Sequence, residues 1–397
     1  MSMLRDRSRA GRGLLPALFL CASLAAAAEP SLSGDPFRGR NLLSEKRCTQ
    51  CHSVWSHGGS VGPDMSTAVA GKSLLDLVGD FWNHTPRMID AMIGRGYAWP
   101  TLNKGEMGDL LSYLYYLRLF DEPGDATRGE IAYSHLRCVA CHSLAGQGGT
   151  IGGPLDGFAD FPSAVELGQA MWNAGPRMQR AQIGRLKAIS TFSGGEISDI
   201  QAYIRSRGKP ADRRVRLLPL PDPSRGAAVF RAKQCSACHH PGGGGAPDLR
   251  AVALNMTVSE ISGTLWNHSY TMSEWMRARG IPFPRFTGTE MADLIAHLYF
   301  MGFVSEEGDA KRGASMFRER GCARCHEGPE APVSNLAESE AVKDPIAMSA
   351  AMWNHAPEMH KLMAAQAVAW PQFDPGDMED LVAHLRRAAL AQPHRQP

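Results

Sequence analysis

The sequence predicts an all-α fold made of four tandem small helical units. Three observations carry this expectation. A pentapeptide C-x-x-C-H occurs four times, starting at Cys48, Cys138, Cys235 and Cys322, so the copies lie 90, 97 and 87 residues apart. Each copy closes on a run of helical period: Met107, Leu110, Leu111, Leu114; then Ile197, Ile200, Ile204; then Met291, Leu294, Ile295, Leu298; then Met378, Leu381, Val382, Leu385. Apolar residues at such spacings make one buried helical face. No copy shows the strict alternation of a strand ladder, and self-similarity at a fixed period marks a repeat architecture.

Ahead of the first unit, residues 1–28 have the layout of a secretory signal peptide. Arg5, Arg7, Arg9 and Arg12 form a basic head, Leu14 to Ala28 is apolar, and Ala26-Ala27-Ala28 offers a small-residue cleavage site. An uncleaved N-terminal anchor is the alternative, but fifteen apolar residues are short for a membrane span. Of the nine cysteines, eight belong to the pentapeptides and the ninth, Cys21, lies in this leader. Once the leader is cut, no cysteine is left outside the pentapeptides for a disulfide, a nucleophile or a thiolate metal site. The formal charge of +2, less the leader's +3, leaves the rest near −1, which provides no basic field for nucleic acid.

Within each copy the same features recur in order. Each opens with an arginine–glycine pair and a bulky apolar residue four positions after the glycine: Gly39 and Leu43, Gly129 and Tyr133, Gly226 and Phe230, Gly313 and Phe317. That spacing puts both on one helical face. The glycine either permits close helix contact or simply starts the helix. After the pentapeptide comes a Gly/Pro turn, at Gly62-Pro63-Asp64, Gly153-Pro154, Ala246-Pro247-Asp248 and Ala331-Pro332. A Trp-Asn block follows, at Trp82-Asn83, Trp172-Asn173, Trp266-Asn267 and Trp353-Asn354, with a shared methionine six residues beyond each tryptophan. The tryptophan is expected to pack near the centre of the unit and the asparagine to hold a bend. A turn such as Trp99-Pro100, Phe283-Pro284 or Trp370-Pro371 leads to the closing helix. Glu106, Glu196, Glu290 and Asp377 stand at its start, where the helix dipole favours them.

C-x-x-C-H is the attachment signature of c-type haem. Two thiols two residues apart can add across the vinyl groups along one edge of the macrocycle, and the adjoining histidine then reaches the iron. Structural zinc needs four ligands close in space, whereas these pairs lie far apart and each carries its own histidine. A thioredoxin-type dithiol would sit in a βαβ pattern, which is missing. Each copy therefore resembles a small class I cytochrome c domain: a helix, C-x-x-C-H, a Gly/Pro loop and a closing helix that crosses the first.

The resemblance implies four covalently attached haem c groups, in domains 35–122, 125–208, 223–305 and 308–391. The thioethers fall to Cys48, Cys51, Cys138, Cys141, Cys235, Cys238, Cys322 and Cys325, and the proximal iron ligands are His52, His142, His239 and His326. It also implies that a loop carbonyl accepts a hydrogen bond from each histidine's other nitrogen, and that attachment takes place outside the bacterial cytoplasm. Short acidic linkers join copies one to two and three to four. The connector between copies two and three (residues 209–222) is proline-rich, which suggests two dihaem halves in chain order.

The family's usual Met-Pro pair before the last helix is absent, so the sixth ligand is sought elsewhere. Met88, Met178, Met272 and Met359 supply all four irons. Met92, Met276 and Met363 are a second set, with Gln182 in copy two, and His84, His268 and His355 a third, with Ala174 in copy two. The expected function is a periplasmic electron carrier, not an enzyme. It would serve redox proteins of the periplasm or inner-membrane electron-transport complexes, with no nucleic acid and no transmembrane span beyond the leader. The alternative is a haem subunit of a peroxidase or oxyanion reductase, with one open or displaceable iron in copy two.

Overall fold

The computed structural model describes residues 34–391, apart from 121–122, 162, 209–218, 241, 243–245, 250–254, 305–307 and 328–334. The leader, Cys21, most of the 209–222 connector and the turn at Ala331-Pro332 lie outside the described residues. Among the described residues the chain is predominantly helical, with three long helices in each sequence repeat. Repeat one holds α1 (Pro36–Glu45), α2 (Leu74–Ile93) and α3 (Lys104–Leu117). Repeat two holds α4 (Ala126–His135), α5 (Ala164–Leu186) and α6 (Glu196–Arg207). Repeat three holds α7 (Pro223–Ala232), α8 (Val258–Ala278) and α9 (Glu290–Phe303). Repeat four holds α10 (Ala310–Glu319), α11 (Pro345–Ala365) and α12 (Asp377–Ala391). Side-chain caps set the starts: Ser73 with Asp76, Asn103 with Glu106 and Thr257 with Glu260 form reciprocal capping boxes. Short strand pairs absent from the sequence reading flank two of the pentapeptides, at Ser53–Val54 with His57–Gly58 and at His142–Leu144 with Gln147–Gly148 and Gly153–Pro154.

In every repeat the first helix crosses the last at the arginine–glycine pair. A Cβ on Gly39, Gly129, Gly226 or Gly313 would overlap the backbone carbonyl of Asp109, Asp199, Asp293 or Asp380. The glycines therefore serve close contact, not helix initiation. The same four aspartates, which the sequence reading passed over, accept the backbone N–H of Asp35, Asp125, Asp222 and Asp309, the residues that cap the opening helices, at 2.6–2.7 Å. Arg128 and Arg225 grip Asp199 and Asp293 with two N–H donors each, at 2.8–3.0 Å, and Arg312 pairs with Asp380. Burial alone would raise the Asp199 pKa, but the Arg128 guanidinium and the Asp125 N–H outweigh it and hold the carboxyl below its ordinary value.

The Trp-Asn block joins repeats to one another, and not in chain order. Trp82 Nε1 donates to the Pro371 carbonyl at 3.0 Å, Asn83 Nδ2 donates to the Phe373 carbonyl at 2.7 Å, and the Phe373 N–H returns a bond to Asn83 Oδ1 at 2.8 Å. The mirror set runs from repeat four to repeat one: Trp353 Nε1 to Pro100 O at 2.7 Å, Asn354 Nδ2 to Leu102 O at 2.7 Å, and Leu102 N–H to Asn354 Oδ1 at 2.9 Å. Pro86 and Pro357 each remove the helical N–H due to the carbonyl four residues earlier. The freed Trp82 and Trp353 carbonyls accept the indole N–H of Trp370 and Trp99, at 3.0 and 3.1 Å. Trp82 stacks on Trp370 with centroids 4.2 Å apart.

Repeats two and three are joined in the same way. Trp172 and Asn173 bond to Pro284 and Phe286, and Trp266 and Asn267 bond to Ser190 and Phe192. Gly168 faces Ser262 and Gly175 faces Ser269, so α5 and α8 run parallel with equivalent residues opposed. The pairing is thus one with four and two with three, which corrects the expected halves of one with two and three with four. Short linkers set distance along the chain, whereas burial of apolar and amide groups selects the spatial partner. Repeats one and three also meet: Tyr115, fully buried, donates to the Ala296 carbonyl at 2.6 Å and packs against Phe303.

Three predictions test this frame. Asn83→Ala and Asn354→Ala each remove a two-point amide contact and should lower unfolding free energy by roughly 1–3 kcal/mol. Trp99→Phe keeps an aromatic ring but loses one donor, so urea unfolding should show a smaller loss, near 1 kcal/mol. The Asp199 carboxyl is depressed in the folded state, so its contribution is present above the unfolded pKa of about 3.9 and lost as pH falls through and below it. Urea midpoints measured between about pH 6 and pH 3 should fall less steeply for Asp199→Asn than for the unaltered chain.

Candidate functional site

The residue before each pentapeptide adopts a left-handed conformation: Arg47 at φ 64°, Arg137 at 61°, Gln234 at 59° and Gly321 at 82°. For a non-glycine residue this costs about 1 kcal/mol or more, and it reverses the chain out of the opening helix into a single tight turn. The His52, His239 and His326 N–H groups close that turn on the carbonyls of Cys48, Cys235 and Cys322, at 2.9–3.0 Å. Residues i, i+3 and i+4 share one face of a turn, so both sulfurs and the imidazole point to one side.

The turns singled out in the sequence orient the histidines. The Nδ1–H of His52 donates to the Pro63 carbonyl at 2.9 Å, that of His142 to Gly153 at 3.0 Å, and that of His239 to Pro247 at 3.0 Å. A carbonyl only accepts, so Nδ1 carries the proton and Nε2 keeps its lone pair for a metal. Two glycines complete the cradle. A Cβ on Gly62 or Gly152 would run into the ring of His52 or His142. In repeat one the loop is tied down by Asp64, whose carboxylate accepts from Ser53 Oγ at 2.8 Å, from the Ser56 N–H at 2.7 Å and from the Ser66 N–H at 2.9 Å. Burial would raise Asp64, but the Ser66 hydroxyl, which also donates to it, and these donors outweigh burial and hold it far below the carboxylate range. His326 is buried, and the turn expected to serve it, Ala331-Pro332, lies outside the described residues.

Desolvation pushes the first thiol of each motif upward, Cys48 to about 11, Cys138 to about 12, Cys235 to about 11, and Cys322 in the same direction. These are neutral thiols at neutral pH, set against apolar clusters, and not reactive thiolates. The second cysteines, Cys51, Cys141, Cys238 and Cys325, are half-buried. Two thiols, an imidazole with a free Nε2 and an apolar surround are what a thioether-linked haem requires. Among the described residues no group of three or more His, Cys, Asp or Glu side chains gathers into another metal site.

The central helices α2, α5, α8 and α11 carry the candidates for the opposite side. Met88, Met178, Met272 and Met359 are all half-buried on them, and Met272 and Met359 pack against the apolar clusters. Met92, Gln182, Met276 and Met363 lie one turn further on and are also half-buried. His84 lies 6.1 Å from His52, and His355 lies 6.3 Å from His326, centroid to centroid. Burial, with a further contribution from the charge of His52, pushes the His84 pKa down. In repeat three, His268 Nδ1 donates to the Thr264 carbonyl at 2.9 Å. Repeat two has Ala174 at this position.

Sequence reasoning missed the left-handed residue and the Gly62/Gly152 contact. Only the glycine spacing, ten residues beyond the motif histidine in both copies, signals the second. The Trp-Asn block was singled out, but its contacts between repeats were not foreseen. Its indoles and amides bind the partner repeat's backbone.

Residues 223–299 match the family model described as Cytochrome c. This stretch runs from α7 through Cys235–His239 and α8 into α9. The match supports a c-type cytochrome, a haem-binding electron-transfer protein with covalently bound haem c. No curated protein and no solved structure matches the chain.

Gly62→Ala and Gly152→Ala should displace the imidazole and cost roughly 1–3 kcal/mol of stability, as overpacking does. Gly157→Ala meets no atom within 4 Å and serves as the control. Thermal unfolding followed in the haem absorption band checks the difference.

Proposed function

We propose that the chain is an exported tetrahaem cytochrome that passes electrons between redox partners of the bacterial periplasm. The observation that carries the proposal is the repeated turn: in each of the first three repeats the motif histidine donates Nδ1–H to a loop carbonyl and keeps Nε2 free. Cys48 and Cys51, Cys138 and Cys141, Cys235 and Cys238, and Cys322 and Cys325 hold one haem per repeat. His52, His142, His239 and His326 are the proximal ligands. The bound haem iron supplies a reversible one-electron couple.

The distal ligand comes from the central helix. In repeats two and three it is Met178 and Met272, half-buried on helices that the Trp-Asn bonds lock together. Iron ligated on both faces by groups on a fixed frame has no site for substrate, which favours a carrier over an enzyme. The partners are other periplasmic redox proteins or the exposed domains of inner-membrane electron-transport complexes. Among the described residues no helix is long and apolar enough to cross a membrane.

Intact mass of the secreted protein should exceed the polypeptide by four haems, with haem on each of the four pentapeptides after proteolysis. Met178→Ala should keep four haems and open one reduced iron to carbon monoxide. Carbon monoxide binding by the unaltered reduced protein would favour an open catalytic site instead.

A further inference from the structure

In repeats one and four the geometry points to histidine, not methionine, as the distal iron ligand: His84 opposite His52, and His355 opposite His326. This rests on the four-haem reading above and replaces Met88 and Met359 of the sequence expectation. An imidazole nitrogen lies about 1 Å from its ring centroid and a metal–imidazole bond is about 2 Å, so two imidazoles trans on one metal have centroids about 6 Å apart. The ring pairs stand at 6.1 and 6.3 Å. Their planes are inclined at 61° and 73°, as two rings turned about one shared axis can be. His52 spends Nδ1–H on the Pro63 carbonyl, which leaves Nε2 as its metal-binding nitrogen.

The helix register is compatible with histidine in this place. Trp82 and Asn83 are both tied to the backbone of repeat four, and Trp353 and Asn354 to that of repeat one. With two successive side chains fixed on the partner, the next residue turns ~100° further round the helix. In these two repeats it comes to face the motif histidine. His84 and Met88 lie one turn apart, as do His355 and Met359, so the position that reaches the axis excludes the other as ligand. The two repeats that share the arrangement are the two that pair with each other. Repeat two cannot use it, since Ala174 stands there. Repeat three carries the same clamp and His268, but among the described residues no His239–His268 ring contact accompanies it, and His268 turns Nδ1 back to the Thr264 carbonyl.

Methionine ligation raises the reduction potential of haem iron. The assignment therefore sorts the four centres by pair: repeats one and four form a low-potential pair, and repeats two and three a higher one.

The test uses the intact holo-protein. The ferric far-red charge-transfer band of methionine-ligated haem should have the strength of two haems, and electron paramagnetic resonance should show two bis-imidazole centres. His84→Ala and His355→Ala should each alter one of those two centres, by opening a reduced iron to carbon monoxide or by adding methionine-band intensity if Met88 or Met359 moves in. His84→Met should add one haem's worth of the band and raise one midpoint. If either alanine variant keeps its haem and leaves both the resonance spectrum and carbon monoxide binding unchanged, the ligand assignment falls while the four-haem reading stands. Absence of haem from the Cys48 or Cys322 peptide of the unaltered protein overturns both.

Discussion

The two-point bond between an asparagine amide and a segment of backbone in another repeat is the contact on which the arrangement depends. Asn83, Asn173, Asn267 and Asn354 each give an N–H to a carbonyl and take an N–H from the same residue, as a β-ladder neighbour would. The segment they hold is the extended stretch before each closing helix, which has no other ladder to join. Leaving those backbone groups buried and unpaired would cost about 1–3 kcal/mol apiece. The tryptophan beside each asparagine covers the bond with an aromatic face and adds an indole donor. Because the bonds are reciprocal, neither repeat of a pair completes its own last turn without the other.

This also explains how proline is tolerated inside the central helices. Pro86 and Pro357 each leave a carbonyl without its helical partner, and in both cases that carbonyl belongs to the clamp tryptophan. An indole from the opposite repeat takes it. A helix defect thus becomes an intermolecular-style contact within one chain. In repeat two, Pro176 frees the Trp172 carbonyl, and the ring of Phe283, which stacks on Trp172 at 4.7 Å, has no donor to offer where Trp99 and Trp370 have an indole N–H. Gln179, wholly buried, donates instead to Ser269 and to the Trp266 carbonyl, a different polar joint for the second pair.

The local chemistry was legible in the sequence because it is local. The spacing of C-x-x-C-H, the loop prolines and the glycine four before an apolar residue each act within one repeat, and the structure bears out the loop carbonyl in three copies and the close helix crossing in four. The pairing was not read because linker length was weighed and side-chain kinship was not. Repeats one and four alone share W-N-H-x-P-x-M together with a Trp-Pro turn, and that kinship marks them as partners. Asp109, Asp199, Asp293 and Asp380 were overlooked for a similar reason. On a helix wheel they look like solvent-facing charge, yet three of the four are buried beneath the arginine of the opening helix.

Clamp and site share one helix, and this limits how each can vary. Trp82 and Asn83 look toward the partner repeat while His84 looks toward His52, so a change of helix register that improved one contact would break the other. Electron transfer favours such a constraint, because a centre whose ligands are held by the surrounding frame reorganises little when its charge changes. Here each frame belongs partly to another repeat. The His84 segment of repeat one is held in position by Pro371 and Phe373 of repeat four, and the His355 segment of repeat four by Pro100 and Leu102 of repeat one. The structural unit is therefore the reciprocal pair and not the single sequence repeat.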